Sequence, residues 1–198
     1  MPLSETNVDI LTFHDTIRIY QDIRDTACSW CMRDYADKYP NLLLTNINSE
    51  VLREFRRTWR SDFRHPSTSH WDWNRLQNDR HSNPKRFELA IWSSTSTKDG
   101  ILLTLHGLAI GRTSRSRSIV RVEYLESYPF DHHPFPSAIF PIVERTLTFY
   151  AILVEASRLE LVNPAPALVR YYERRGFQLE TTHGRNEVMF KELERSEI

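Results

Sequence analysis

Tyr172 is the side chain whose type and setting best suit proton chemistry. A phenol with a pKa of about 10 stays protonated at neutral pH and can donate a proton or a hydrogen bond. It stands in LELVNPAPALVRYYERRGF, residues 159–177. Leu159 to Val162 reads as a short buried strand that Asn163 and Pro164 end. A helix-period segment follows, with Ala167, Leu168, Tyr171 and Tyr172 apolar, and Gly176 stops it at the C′ position. Phe177 opens another strand. Two carboxylates, Glu123 and Glu126, lie in the strand-like run VRVEYLES, where alternation places them on opposite faces.

Other reactive residue types form weaker patterns. Cys28 and Cys31 stand in CSWC, a spacing used by redox and zinc sites. No second cysteine pair completes a zinc site, so they read as two small apolar residues one turn apart on a helix. His65, His70 and His81 share a loop-rich stretch with Asp72 and Asp79, but their spacing fits no metal site and no metal is expected. Trp71 and Trp73, in WDW, fall on one face of an extended segment. That suits either a cover over an acceptor pocket or an anchor of the loop to the core. Arg53, Arg56, Arg57, Arg60 and Arg64 load the polar side of one predicted helix, and RTSRSRS (112–118) is a basic turn. Glu54 and Asp62 interleave with those arginines and the net charge is zero, so a solvated face is expected rather than nucleic-acid binding.

The elements that must position these residues follow from the hydrophobic period. Residues 12–38 read as a helix ended by Tyr39-Pro40. Asn48 or Ser49 caps a second helix that runs to about His65, with Leu52, Phe55, Trp59 and Phe63 on its apolar face. Residues 66–86 read as a loop with one helical turn. Then the period changes to two, and 87–93, 101–112 and 119–127 form an antiparallel meander. A helix of about five turns over 136–157, the strand 159–162, the short helix 166–175 and a hairpin of 177–181 with 186–192 complete the order. His183-Gly184 stands at the hairpin turn.

At 198 residues, 40% hydrophobic and 26% charged, the chain has the makings of a single globular α/β domain. No apolar run is long enough to cross a membrane, and MPLSETNVDI lacks the features of a signal peptide, so a cytoplasmic location is expected.

The strand, short helix and Tyr172-Glu173-Arg174-Arg175-Gly176-Phe177 ending resemble the late part of the GCN5-related N-acetyltransferase (GNAT) fold. The order of elements over 87–192 resembles that family as well, with 1–86 as a helical N-terminal elaboration. The resemblance implies a mixed, mostly antiparallel sheet flanked by helices, with the long helix crossing to a parallel strand and a cofactor cleft where those two strands splay apart. The first strand of that sheet falls to NVDILTF (7–13), or is missing. The resemblance further implies acetyl-CoA as co-substrate and an amine as acceptor. Tyr172 matches the tyrosine that assists the leaving thiolate. Glu123, and after it Glu126, match the strand position of a glutamate base. The backbone of Tyr124, Leu125, Glu126 and Ser127 matches the strand that pairs with the pantetheine arm.

The pyrophosphate loop departs from the family pattern. Where that pattern has Arg or Gln followed by glycines, this chain has HPFPSA, 133–138. His132, His133, Ser137, Ala138 and Ile139 are then the residues that face the phosphates, although Pro136 removes an N–H donor. An asparagine that contacts the cofactor in many members is replaced by Ala165, and Asn163 is the nearest substitute. Two readings follow: an acetyltransferase acting on an amine, or a protein that kept the fold and works as a binding or regulatory module. The sequence names no acceptor and leaves homodimerisation open.

Overall fold

The computed structural model describes residues 12–59, 64–65, 68, 70–81, 83–129, 134–135, 137–181 and 187–194. In chain order they form α1 (Phe13–Asp34), β1 (Leu42–Thr45), α2 (Ser49–Thr58), α3 (Trp73–His81), β2 (Arg86–Thr97), β3 (Gly100–Thr113), β4 (Ile119–Ser127), α4 (Ile139–Leu153), β5 (Arg158–Val162), α5 (Val169–Glu173), β6 (Gln178–Thr181) and β7 (Glu187–Glu192). A 3₁₀ turn over Pro166–Leu168 leads into α5. The strands make one sheet in the order β1-β2-β3-β4-β5-β7-β6. All neighbours are antiparallel except β4 and β5.

Each face of the sheet buries one hydrophobic core. On one face α1 and α4 pack over Leu89, Ile91, Ala109, Val120, Val122 and Leu159. On the other, Val51, Leu52 and Phe55 of α2 and Trp73 of α3 cover Ala90, Trp92, Leu105, Leu108 and Ile110. The alternation of β2 between the two sets is the period-two pattern of a strand buried on both sides. α4 is apolar on most of its circumference, with Ile142, Val143, Leu147, Tyr150 and Ala151 buried, as a central crossover helix must be. α1 begins at a capping box in which Thr12 and Asp15 satisfy each other's backbone N–H groups.

Several boundaries differ from the sequence expectation. The edge strand is Leu42–Thr45, paired with β2, rather than a segment from 7–13; Phe13 begins α1, and 1–11 lie outside the described residues. Three leucines and a threonine between a helix and a cap offer too few alternations to be read as a strand. The second helix ends at Thr58, where the Trp59 indole Nε1 donates to the Leu105 carbonyl on β3 at 3.3 Å. Arg64 does not continue a solvated arginine face; its side chain is buried. Residues 73–81 form a helix where a loop with one turn is expected, because Asp72 caps the Asn74 and Arg75 N–H groups. That helix is polar around most of its surface, so it carries no apolar stripe to betray it. The turn at His183-Gly184 lies outside the described residues.

Cys28 and Cys31 sit in the core of α1, both reduced and buried. Burial pushes their thiols up to about 12 and about 11. Neither is therefore a nucleophile at neutral pH. In the native protein a chromogenic disulfide reagent should find no reactive thiol, and after denaturation it should find two per chain. Rapid native labelling of either cysteine would contradict this packing.

Candidate active site

The site begins where two strands stop pairing. β4 and β5 run parallel only from Ile119↔Arg158 to Val122↔Leu161. β5 continues to Val162 against β7, while β4 continues to Ser127 against β3. From Tyr124 to Ser127, β4 therefore has a strand partner on one side only among the described residues, and its other backbone edge faces the gap. An unpaired edge of this kind is a template for an extended ligand.

The first turn of α4 lies beside that gap. Ile139 packs over Gly107, the residue opposite Ser127 on β3; a Cβ at Gly107 would meet Ile139 Cγ2 at 3.2 Å. Among the described residues, no side chain caps α4. The Ala138 N–H is taken by the Phe135 carbonyl at 3.0 Å, and Pro141 has no N–H to give. Ser137 holds φ at 57°, the left-handed conformation that favours glycine, immediately before the helix. The remaining N–H groups of the first turn and the positive end of the helix macrodipole make a place for an anion. His132, His133 and Pro136 lie outside the described residues.

Tyr172 is brought to this same turn. Its ring packs on Phe140 with centroids 4.6 Å apart, and on Tyr171 and Phe177 at 5.6 and 6.4 Å. The turn that presents it is closed by two bonds, Gly176 N–H to the Glu173 carbonyl at 2.9 Å and Phe177 N–H to the Tyr172 carbonyl at 3.1 Å. With Gly176 at φ 86° this is a Schellman ending. Arg175 and Lys191 both pair with the buried Glu144 of α4, which ties α5 and β7 to that helix. Burial, and secondarily the neighbouring Tyr171, push the Tyr172 phenol up to about 12. It stays protonated through the physiological range. Asn163, at the end of β5, takes a left-handed φ of 50° and donates its N–H to the Glu187 carbonyl at 2.7 Å.

The two glutamates share a face, which corrects the alternation argument. β4 pairs Tyr124 with Ile110 and Val122 with Gly111, so Glu123 is an extra residue in a β-bulge. Gly111 permits this crossing, since a Cβ there would stand 1.8 Å from the Arg121 carbonyl. Glu123 pairs with Arg112 at 2.8 Å. Glu126 is held harder. Arg64 grips both its oxygens, at 2.6 Å each, Trp73 Nε1 donates at 2.7 Å and the Thr68 hydroxyl at 2.8 Å. Trp73 is therefore an anchor, and Trp71 packs edge-on against Tyr124 at 5.2 Å.

One buried pair escaped the sequence reading. His106 is a bulge residue on β3, between Leu105 and Gly107, and its Nε2 lies 2.8 Å from the Ser93 hydroxyl. Its carbonyl accepts the Tyr128 N–H, and its ring packs on Phe135 at 5.4 Å. The signal was a histidine inside the apolar run ILLTLHGLAIGR.

By sequence, the chain matches no described protein family and no curated protein. Its structure is similar to solved acetyltransferases. A chimera of the Vibrio cholerae spermidine N-acetyltransferase SpeG and hSSAT aligns at TM-score 0.54 and 14% identity, over 77% of this chain and 95% of the other. Ard1 from Thermoplasma volcanium aligns at TM-score 0.53 and 10% identity, over 78% and 99%. A putative GNAT-family acetyltransferase from Desulfovibrio desulfuricans aligns at TM-score 0.52 and 13% identity, over 77% and 98%. The chain has the GCN5-related N-acetyltransferase fold. In this acetyltransferase fold the gap beside β4, the start of α4 and Tyr172 come together, and Glu123 and Glu126 lie on the sheet face away from α4.

The Arg64–Glu126 pair is 5% and 3% exposed, so removing one partner strands a buried charge. Glu126→Ala should cost about 3–5 kcal/mol in denaturant titrations. A loss under about 1 kcal/mol would show that the carboxylate is not locked as described.

Proposed function

We propose that the protein transfers an acetyl group from acetyl-CoA to an amine. The observation that carries this reading is the one-sided backbone edge of Tyr124–Ser127, beside an uncapped helix start on which Tyr172 packs. The residues present suit the co-substrate. The backbone of Tyr124, Leu125, Glu126 and Ser127 supplies alternating donors and acceptors for an amide-bearing arm. The start of α4, with Ser137, Ala138 and Ile139, supplies the field and N–H donors for phosphates. His132 and His133 belong to the same loop by sequence, and Asn163 borders the gap at the end of β5. When bound, acetyl-CoA supplies an activated thioester carbonyl.

The chain's own part is to orient and to move protons. Glu123 stands where β4 and β5 part, and we assign it the acceptor of the amine proton, with Arg112 fixing its orientation. Glu126, whose two oxygens are already engaged by Arg64, Thr68 and Trp73, is assigned to hold the α2–α3 connection against β4. Tyr172, kept neutral by burial, is assigned the proton donor to the leaving thiolate.

Calorimetric titration with acetyl-CoA tests the reading first, and silence at about millimolar ligand, weaker than about 4 kcal/mol of binding, would sink it. Given binding, Tyr172→Phe should lower the transfer rate by about 10²-fold with little change in acetyl-CoA affinity. Binding with no transfer to any amine tested would instead favour the regulatory reading, which the deep burial of Tyr172 supports. The pH profile is a separate check. The folded phenol titrates above its unfolded value of about 10, so this group adds no alkaline fall in rate below that pH. Stability due to its burial is full below pH 10 and is lost as pH rises from about 10 towards 12. Tyr172→Phe should flatten that part of the alkaline unfolding curve.

A further inference from the structure

Three arginines stand in one row across three adjacent strands. Arg86 on β2 is the register partner of Arg112 on β3, and Arg112 is the partner of Arg121 on β4. Register partners point to the same face, and neighbouring strands are only about 4.8 Å apart. Like charges set directly opposite each other destabilise a sheet. Here each guanidinium leans on a carboxylate: Arg86 on Glu88 at 3.1 Å, Arg112 on Glu123 at 2.8 Å and Arg121 on Glu160 at 3.0 Å. Glu160 is itself shared with Arg158, which also pairs with Glu180 and Glu192, so the carboxylates balance the charge of the row.

A pocket of about 490 Å3 opens over the end of this row. Arg112 and Arg121 line it with Lys85 and Arg115, and none of its described lining residues is acidic. Lys85 and Arg115 have no ion-pair partner among the described residues. Asn83 and Ser114 add polar groups to the wall. Arg121 precedes Tyr124, the first residue of the one-sided edge, by three residues, so the pocket lies about 10 Å along β4 from the start of the candidate cleft.

We propose that this pocket binds a small, multiply charged anion of phosphate or phosphate-ester chemistry. A phosphoryl head offers up to three acceptor oxygens and about two charges, which suits convergent guanidinium forks and an ammonium. A carboxylate or chloride leaves most of those donors unmatched. The pocket admits a compact ligand and is far too small to seat a nucleic-acid duplex. The pocket shares Arg112 with the acyl-transfer reading, in which that residue orients Glu123, but no residue assigned to the cofactor lines it.

The test is calorimetric titration of the full chain with inorganic pyrophosphate at low salt. The wild type should bind, and affinity should fall steeply as salt is raised. Lys85→Gln with Arg115→Gln should weaken binding at least about tenfold, the loss expected for hydrogen bonds to a charged group. The same double variant should keep its acetyl-CoA titration and its thermal midpoint. Arg115 lies on an exposed turn, so Arg115→Gln alone gives a folded variant with a smaller loss of the same sign. No pyrophosphate binding by the wild type overturns the proposal. So does equal binding by wild type and double variant, because the anion is then held elsewhere, such as at the start of α4.

Discussion

β4 and β5 are parallel neighbours for four residues and then separate, and the geometry of the candidate site depends on where they do so. Parallel strands need a crossover, and here α4 provides it between the end of β4 and the start of β5. Its start must therefore lie near the carboxyl end of β4, where the gap opens. Ligands of open α/β sheets bind at the carboxyl ends of strands for the same topological reason. An unpaired backbone edge and a helix N-terminus are thus brought together by connectivity alone. Tyr172 joins them because the chain, leaving β5, returns through the 3₁₀ turn and α5, whose Tyr172 packs on Phe140 of α4, before it enters β6 beside β7.

Buried charge then pins this arrangement. Glu144 on α4 receives Arg175 and Lys191, Glu126 receives Arg64, and Arg24 of α1 reaches Asn46 and the Arg86 carbonyl. Desolvating such ions costs about as much as their attraction returns, so they are poor sources of net stability. Each one does, however, penalise any packing that would leave it alone. Between them they fix α5 against α4, the α2–α3 connection against β4, and α1 against the edge of β2. The hydrophobic cores on the two faces supply the driving force, and the ion pairs select which docking of the helices is used.

Much of the architecture was legible because its periods are clean. α1, the β2–β3–β4 meander, α4 and the Gly176 stop follow from apolar spacing and from turn chemistry. Elements whose signals are short or polar were not. β1 has four residues, α3 has no apolar stripe, and the bulge at Glu123 shifts a face by one residue without any mark in the local pattern. The bulge is the most instructive of these. Strict alternation puts Glu123 and Glu126 on opposite faces, and one extra residue places them on the same one.

By itself the sequence determined the class of the fold, the order of its core elements and the tyrosine turn, because these rest on local periodicity and on where glycine and proline interrupt it. It also determined that the chain lacks a glycine-rich loop before the long helix, a fact about composition that no packing alters. Tertiary structure alone decided which carboxylate is already spoken for. Glu126 meets Arg64 and Trp73 from 62 and 53 residues away in the chain, and no local rule couples them. It also aligned Arg86, Arg112 and Arg121 across three strands, since register is set by the pairing of whole strands and not by any residue's neighbours.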